Sequence, residues 1–140
     1  MNHQSTACLG CKLANEKGVA HVVYENEYVT CLLDIEPMNE GHLLILPKKH
    51  YLDVEELDSD TAAAIMSSSA FIAKVLKQLF QPDGITIIQN GGLFNDLGHY
   101  HMHVFPRYQN DGFSWNEPLD SHKFKHLLAE TRLKIIHALH

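Results

Sequence analysis

The feature that most constrains this chain is the stretch His99-Tyr100-His101-Met102-His103-Val104-Phe105-Pro106, in which three histidines alternate with large apolar or aromatic residues. Alternation at period two is the pattern of a half-buried β-strand, so the stretch predicts one. The imidazoles would then share a face in a row spaced by ~6.6 Å, twice the strand rise of ~3.3 Å per residue. Tyr100, Met102 and Val104 take the opposite face and pack on a core. Imidazoles fixed to a sheet can supply a nucleophile, a proton shuttle or metal ligands near neutral pH. The plain alternative is a row of partly solvated strand histidines. With eleven histidines among 140 residues that alternative has weight, and the flanking sequence must decide.

The rest of the chain reads as short elements. Residues 22–25 and 28–33 predict two strands joined at Asn26-Glu27 with hairpin length, the second closed by Pro37. Residues 42–46 predict a third strand, opened by His42 after Gly41 and stopped by Pro47. Asp58 or Ser59 can cap a helix that runs to about Phe80, with Asp60 in its first turn and Ile65, Ile72, Leu76 and Leu79 near one face. Gln81-Pro82-Asp83-Gly84 ends it. Residues 85–89 predict a β-branched strand, which leads through Asn90-Gly91-Gly92 and Asn95-Asp96-Leu97-Gly98 into the histidine strand. A loop turning at Asp111-Gly112 follows, and an amphipathic helix over about 121–139 closes the chain. Apolar content of 45% suffices for one core, and no repeat or linker divides the sequence. The order of elements predicts a single α+β domain over 1–140, its core about 8–115. It has a five-stranded antiparallel sheet, helices on one side, one of them long and one C-terminal.

Charge and cysteine usage narrow the function classes. The formal charge is −6, and Lys48-Lys49 is the only adjacent basic pair, which argues against an extended nucleic-acid groove. No apolar run reads as a membrane span, and the polar residues 1–6 do not read as a signal peptide, so a cytoplasmic protein is expected. Three cysteines do not make a disulfide framework. Cys8-Leu9-Gly10-Cys11 suits chelation of one zinc ion, the backbone turning through Gly10. A thioredoxin-like redox pair competes, although no strand precedes the pair and no helix is evident there. His50 and His99, each at a strand end, could complete a Cys₂His₂ set. Cys31 reads as an inert core thiol, and His42 by itself as a satisfied strand-end histidine.

Several spaced motifs run in order from Cys8 to Trp115. They are Cys8-x-x-Cys11-Lys12, Leu33-Asp34-Ile35-x-Pro37, the run from Gly41-His42 to Pro47-Lys48-Lys49-His50, Asn90-Gly91, His99-x-His101-x-His103, Pro106-Arg107-Tyr108 and Asp111-Gly112-Phe113. Together they resemble the histidine triad (HIT) family of nucleotide-binding and hydrolase proteins, in its zinc-carrying bacterial-type branch. The resemblance implies that His101 attacks the α-phosphorus of a purine nucleotide, forming a nucleotidyl-imidazole that water resolves. Neutral imidazole is a good nucleophile at pH 7, and a covalent intermediate divides one displacement into two. By the same resemblance His103 contacts phosphate oxygens, His42 is the fourth, supporting histidine, and His99 joins Cys8, Cys11 and His50 around a structural zinc. Asp34 would accept the ribose hydroxyls, Leu9, Leu13, Leu32 and Ile35 would line the base pocket, and Asn90 and Asn95 would lie on the phosphate side.

The implied activity is hydrolysis of nucleotide phosphoramidates or dinucleoside polyphosphates. Nucleotidyl transfer to another acceptor, or nucleotide-binding regulation with vestigial hydrolysis, are the alternatives. A homodimer is also implied, formed through the second face of the long helix (Ala63, Ser67, Ala70, Lys74) and the strand 85–89. The sequence departs from the family pattern in two places. Asn95-Asp96-Leu97 stands where many members have Gln-Ser-Val, so a carboxylate replaces a serine near the leaving group. Gly10 replaces a bulky residue beside the expected base pocket.

Overall fold

A computed structural model describes residues 7–120 and 122–140. Five strands, β1 (Val22–Glu25), β2 (Val29–Leu33), β3 (Leu43–Pro47), β4 (Gly84–Ile88) and β5 (Met102–Arg107), form one antiparallel sheet in the order β1-β2-β3-β5-β4. Three helices accompany it: α1 (Leu9–Asn15), α2 (Ser59–Phe80) and α3 (Leu128–Leu139). The expected α+β fold is therefore the observed one. At the β1–β2 turn, Asn26 Oδ1 accepts the backbone N–H groups of Tyr28 and Val29 at 2.9 and 3.0 Å, closing the hairpin in place of a glycine turn.

The histidine strand begins three residues later than its alternation suggests, at Met102. β3 pairs with β5 only through Leu43↔Val104, Leu44↔His103 and Ile45↔Met102. Two residues further along β3 stands Pro47, which has no N–H to extend the ladder toward His99. Tyr100 N–H instead donates to the Tyr51 carbonyl at 2.6 Å, and Gly98 bends the chain with φ +68°. His99 thus leaves the row expected of it.

The two faces of the sheet differ in role. On one, Ile65, Ile72 and Leu76 of α2 are buried with Val29, Cys31, Leu43, Ile45, Met102 and Val104. Burial of each such aliphatic side chain stabilises the fold by about 1.5–3 kcal/mol. Asp58 caps α2: its Oδ1 accepts the Thr61 N–H at 2.7 Å, and its Oδ2 accepts the Tyr51 hydroxyl at 2.7 Å. Those hydrogen bonds, the backbone one first, hold its carboxyl at about 2. Leu79, expected on the buried stripe, is exposed; Phe80 is the last-turn residue that packs on the core. Gly41, at φ +91°, makes room for it, because a Cβ there would stand 2.6 Å from the Phe80 ring. α2 has the length and mean hydropathy of a membrane span, against the expectation that no segment does. Its Ile65-Ile72-Leu76 stripe is the face packed on the sheet.

The opposite face packs Leu32, Leu44 and Leu46 against Ala14 of α1. Leu44 pairs with His103, so this is also the face of His103 and of His42, which meets it. Helices therefore lie on both sides of the sheet, not one. α1 itself corrects the reading that no helix starts at the cysteine pair: Cys8 is its cap, with Sγ accepting the Cys11 N–H at 3.2 Å. α3 starts at Leu128 after a 3-10 turn, Lys125–Leu127, later than the expected 121, and it has no buried residue and does not pack on the sheet. Ser121 and residues 1–6 lie outside the described residues.

Candidate active site and metal centre

Two groups of side chains meet at His99. In the first, His99 Nδ1 lies 3.5 Å from Cys8 Sγ and 3.6 Å from Cys11 Sγ, and His50 Nδ1 lies 3.4 Å from Cys11 Sγ. All four ligand atoms fall within 4.8 Å of one another. A tetrahedral zinc with Zn–S of ~2.3 Å and Zn–N of ~2.0–2.1 Å has sulfur-to-nitrogen edges of about 3.6 Å, so the donor set fits such an ion. The tautomer fits as well. His99 Nε2 donates to the Pro47 carbonyl at 2.8 Å, which leaves the Nδ1 lone pair facing the thiols. Burial pushes the His99 imidazole down to about 4, keeping it neutral. No disulfide joins Cys8 to Cys11. Cys31 behaves as the core thiol expected of it, pushed up to about 12 by burial.

Gly10 belongs to this corner and not to the base pocket. A Cβ there would land on Cβ and Cγ of His99. The missing side chain is what lets α1 approach the histidine.

The second group is built on β3 and β5. His101 is buried, and its Nδ1 lies 2.9 Å from the His99 carbonyl. A carbonyl only accepts, so Nδ1 carries the proton and Nε2 presents a lone pair. The same logic fixes the next two rings. Met38 N–H donates to His42 Nδ1 at 3.0 Å, so the His42 proton sits on Nε2. That nitrogen lies 2.9 Å from His103 Nδ1 and donates to it, leaving the His103 proton on Nε2. His42 is thus no isolated strand-end histidine but the group that sets the tautomer of His103. Burial lowers both pKa values below the ordinary histidine range, with the neighbouring His101 also lowering that of His103. Asp34 Oδ2 lies 3.5 Å from His42 Nε2 and 3.7 Å from His103 Nδ1. The His101 and His103 ring centroids are 5.0 Å apart, closer than an ideal strand row.

These rings open into a pocket of about 420 Å³ lined by Leu9, Leu13, Leu32, Asp34 and Ile35, all anticipated from the sequence. Asp96 and Leu97, of the segment expected near the leaving group, line it too, as do Val19, Ala20, His21, Leu33 and Leu44, which were not anticipated. Leu44 could have been read from the period of two that places it beside His42; residues 19–21 carry no motif.

The HIT domain pattern matches residues 16–110. The chain belongs to the HIT family. It is 40% identical over 107 residues to an uncharacterised HIT-like protein of Methanocaldococcus jannaschii, covering 75% of this chain and 82% of that one. It is 30% identical over 120 residues to adenylylsulfatase HINT3 of Arabidopsis thaliana, covering 84% of this chain and 61% of the relative. A HIT family protein of Bacillus anthracis superimposes with TM-score 0.84 at 30% identity, over 96% of this chain and 98% of the other. A zinc-bound histidine triad protein of Mycobacterium smegmatis does so with TM-score 0.71 at 29% identity, over 94% and 97%.

Two residues placed by the HIT pattern do not reach the pocket. Asn90 lines a separate groove beside Ile88, Arg107 and Trp115. Asn95 is spent on its own loop: Nδ2 donates to the carbonyls of Leu52 and His99, and Oδ1 accepts the N–H groups of Leu97 and Gly98. Its neighbour is the residue that enters the site, since Asp96 Oδ1 stands 3.3 Å from His101 Nε2. Beyond β5, Asp111 accepts from Arg107 Nε at 2.7 Å, from the backbone of Tyr108 and Phe113, and from Asn39. This clamp, which holds the Asp111 carboxyl well below the usual range, ties the loop to the turn before β3.

Proposed function

We propose that this HIT protein hydrolyses nucleotide phosphoramidates or dinucleoside polyphosphates through a nucleotidyl–His101 intermediate. The observation that carries the reading is the hydrogen bond from His101 Nδ1 to the His99 carbonyl, which aims the Nε2 lone pair into the pocket. In the first step the Nε2–phosphorus bond forms while the bond from phosphorus to the leaving atom breaks. The leaving atom takes the electron pair and a proton from solvent. Water then attacks the same phosphorus and gives up a proton to solvent, the P–N bond breaks, and its electron pair returns to Nε2. His103 Nε2–H, its tautomer set by His42, donates to a phosphate oxygen, and charge stabilisation of this kind does most of the work at phosphorus. Asp34 accepts the ribose hydroxyls at the pocket wall, and the aliphatic lining takes a purine base. The name of the Arabidopsis relative, an adenylylsulfatase, supports nucleotide hydrolysis as the general chemistry.

Cys8, Cys11, His50 and His99 would hold a zinc ion as a structural fixed point, fastening α1 to the base of the nucleophile's segment. Metal analysis of protein prepared without chelator should return one zinc per chain, and an absence of zinc would remove this part. For the nucleophile, His101→Ala should lower turnover by at least about a thousandfold while nucleotide affinity changes little. Labelled nucleotide should remain on the denatured wild-type protein and not on the variant. Near-normal turnover by folded His101→Ala protein would end the assignment.

A further inference from the structure

We propose that Asp96 selects the leaving group, admitting a neutral or cationic amine on the nucleotide α-phosphorus and rejecting a polyphosphate. The inference rests on the reading of His101 as nucleophile and deepens it.

Asp96 Oδ1 stands 3.3 Å from His101 Nε2, the nitrogen left without a proton when Nδ1 donates to the His99 carbonyl. That is the space an attacked phosphorus must fill, since reacting atoms approach to about 3–3.5 Å. The carboxylate can yield it. Its side chain is 88% exposed, and with His101 Nε2 unprotonated no hydrogen bond or ion pair holds it among the described residues. The backbone beneath it cannot yield as easily, because Asn95 ties Leu97 and Gly98 on one side of its amide and Leu52 and His99 on the other. A bound phosphoryl group therefore turns the carboxylate outward while the loop keeps it within one side-chain length of the phosphorus. In-line displacement sends the leaving group away from Nε2, to that same outer side.

The charge lining the pocket makes this selective. Asp34 and Asp96 face it, together with His21, His101 and His103, and among the described residues neither lysine nor arginine lines it. His103 Nε2–H is committed to the α-phosphoryl oxygens in the reading above. A leaving polyphosphate would meet carboxylates with no fixed cation to offset its charge. At a separation near 6 Å in a largely solvated site, each added negative charge costs about threefold to tenfold in rate. A departing amine adds no such charge.

The test compares kcat/KM for adenosine 5′-phosphoramidate bearing a lysine side-chain leaving group with that for diadenosine tetraphosphate. Wild type, Asp96→Asn, Asp96→Ser and Asp96→Glu are measured at low and high salt. We expect wild type to prefer the phosphoramidate. Asp96→Asn and Asp96→Ser should raise the tetraphosphate rate relative to the phosphoramidate by at least about tenfold, and Asp96→Glu should restore the preference. High salt should compress the ratio in wild type more than in Asp96→Asn, because screening acts only where the charge remains. A merely structural loop residue would lower both rates together and leave the ratio and its salt dependence unmoved. An unchanged ratio in Asp96→Asn, with nucleotide still trapped on His101, overturns the selector and leaves the hydrolase standing. If neither compound loads His101 in wild type, the underlying reading falls and this inference falls with it.

Discussion

At the scale of single residues, Gly10 sits where two opposing effects can be weighed. It lies inside α1, where alanine would favour the helix by up to about 1 kcal/mol. Yet its Cβ would meet Cβ and Cγ of His99, atoms close to the backbone that cannot swing aside as a side-chain tip can. Overpacking of this kind costs about 1–3 kcal/mol, so the clash outweighs the propensity. Gly10→Ala should therefore lower the stability measured by urea denaturation by the difference, roughly 1–2 kcal/mol. It should also reduce the zinc retained through dialysis. Unchanged stability with full zinc content would mean that α1 and His99 are not pressed together as described. His101 and His103 are the other residues whose proposed roles depend on single atoms, because each hydrogen bond around them fixes where one proton can be.

The elements act by carrying such residues past one another. β3 and β5 pair through Leu44↔His103, which brings the His42 ring at the mouth of β3 onto the His103 ring of β5. Both imidazoles are shifted down by burial, so the folded protein binds fewer protons there than the unfolded chain. Stability from this pair is complete above the ordinary histidine pKa of about 6.5 and is lost as pH falls below it. Urea midpoints should therefore drop on moving from about pH 7.5 to about pH 5.5. In His42→Gln the pH dependence should be shallower than in wild type, and an equal slope would show that the His42–His103 pair does not couple to folding.

For the whole molecule, the surfaces left over are as informative as the core. α2 exposes Met66, Phe71, Val75 and Leu79, and its small residues Ala63, Ser67 and Ala70 are also open. β4 is an edge strand with Ile87 half exposed. An unpaired edge beside an apolar helix face is a liability for a monomer, and twofold pairing is the commonest way to cover both. The proposed homodimer places α2 against its copy and continues the sheet through β4. Light scattering at micromolar concentration should return near twice the 15.9 kDa chain mass. A monomer with full hydrolytic activity would show that pairing is neither present nor required by the site.

Periodicity and punctuation made much of this protein legible from its residues. Alternation assigned β5 its buried and pocket faces, Asp58 marked the start of α2, and prolines closed β2 and β3. The spaced cysteines and histidines named the four residues, His99 among them, whose ligand atoms gather at one point. Those patterns are local, and they report which face is buried and where an element stops. They do not report which atom a side chain meets after closure of loops 39 and 91 residues long, the separations of Cys11 from His50 and of Cys8 from His99. Only the tertiary structure decided that His99 leaves the strand to face the thiols, since that depends on where Pro47 ends the ladder of β3. It alone turned Asn95 into its own loop and Asp96 onto His101, because a side chain one methylene shorter than glutamine satisfies nearby backbone groups before it can reach the pocket.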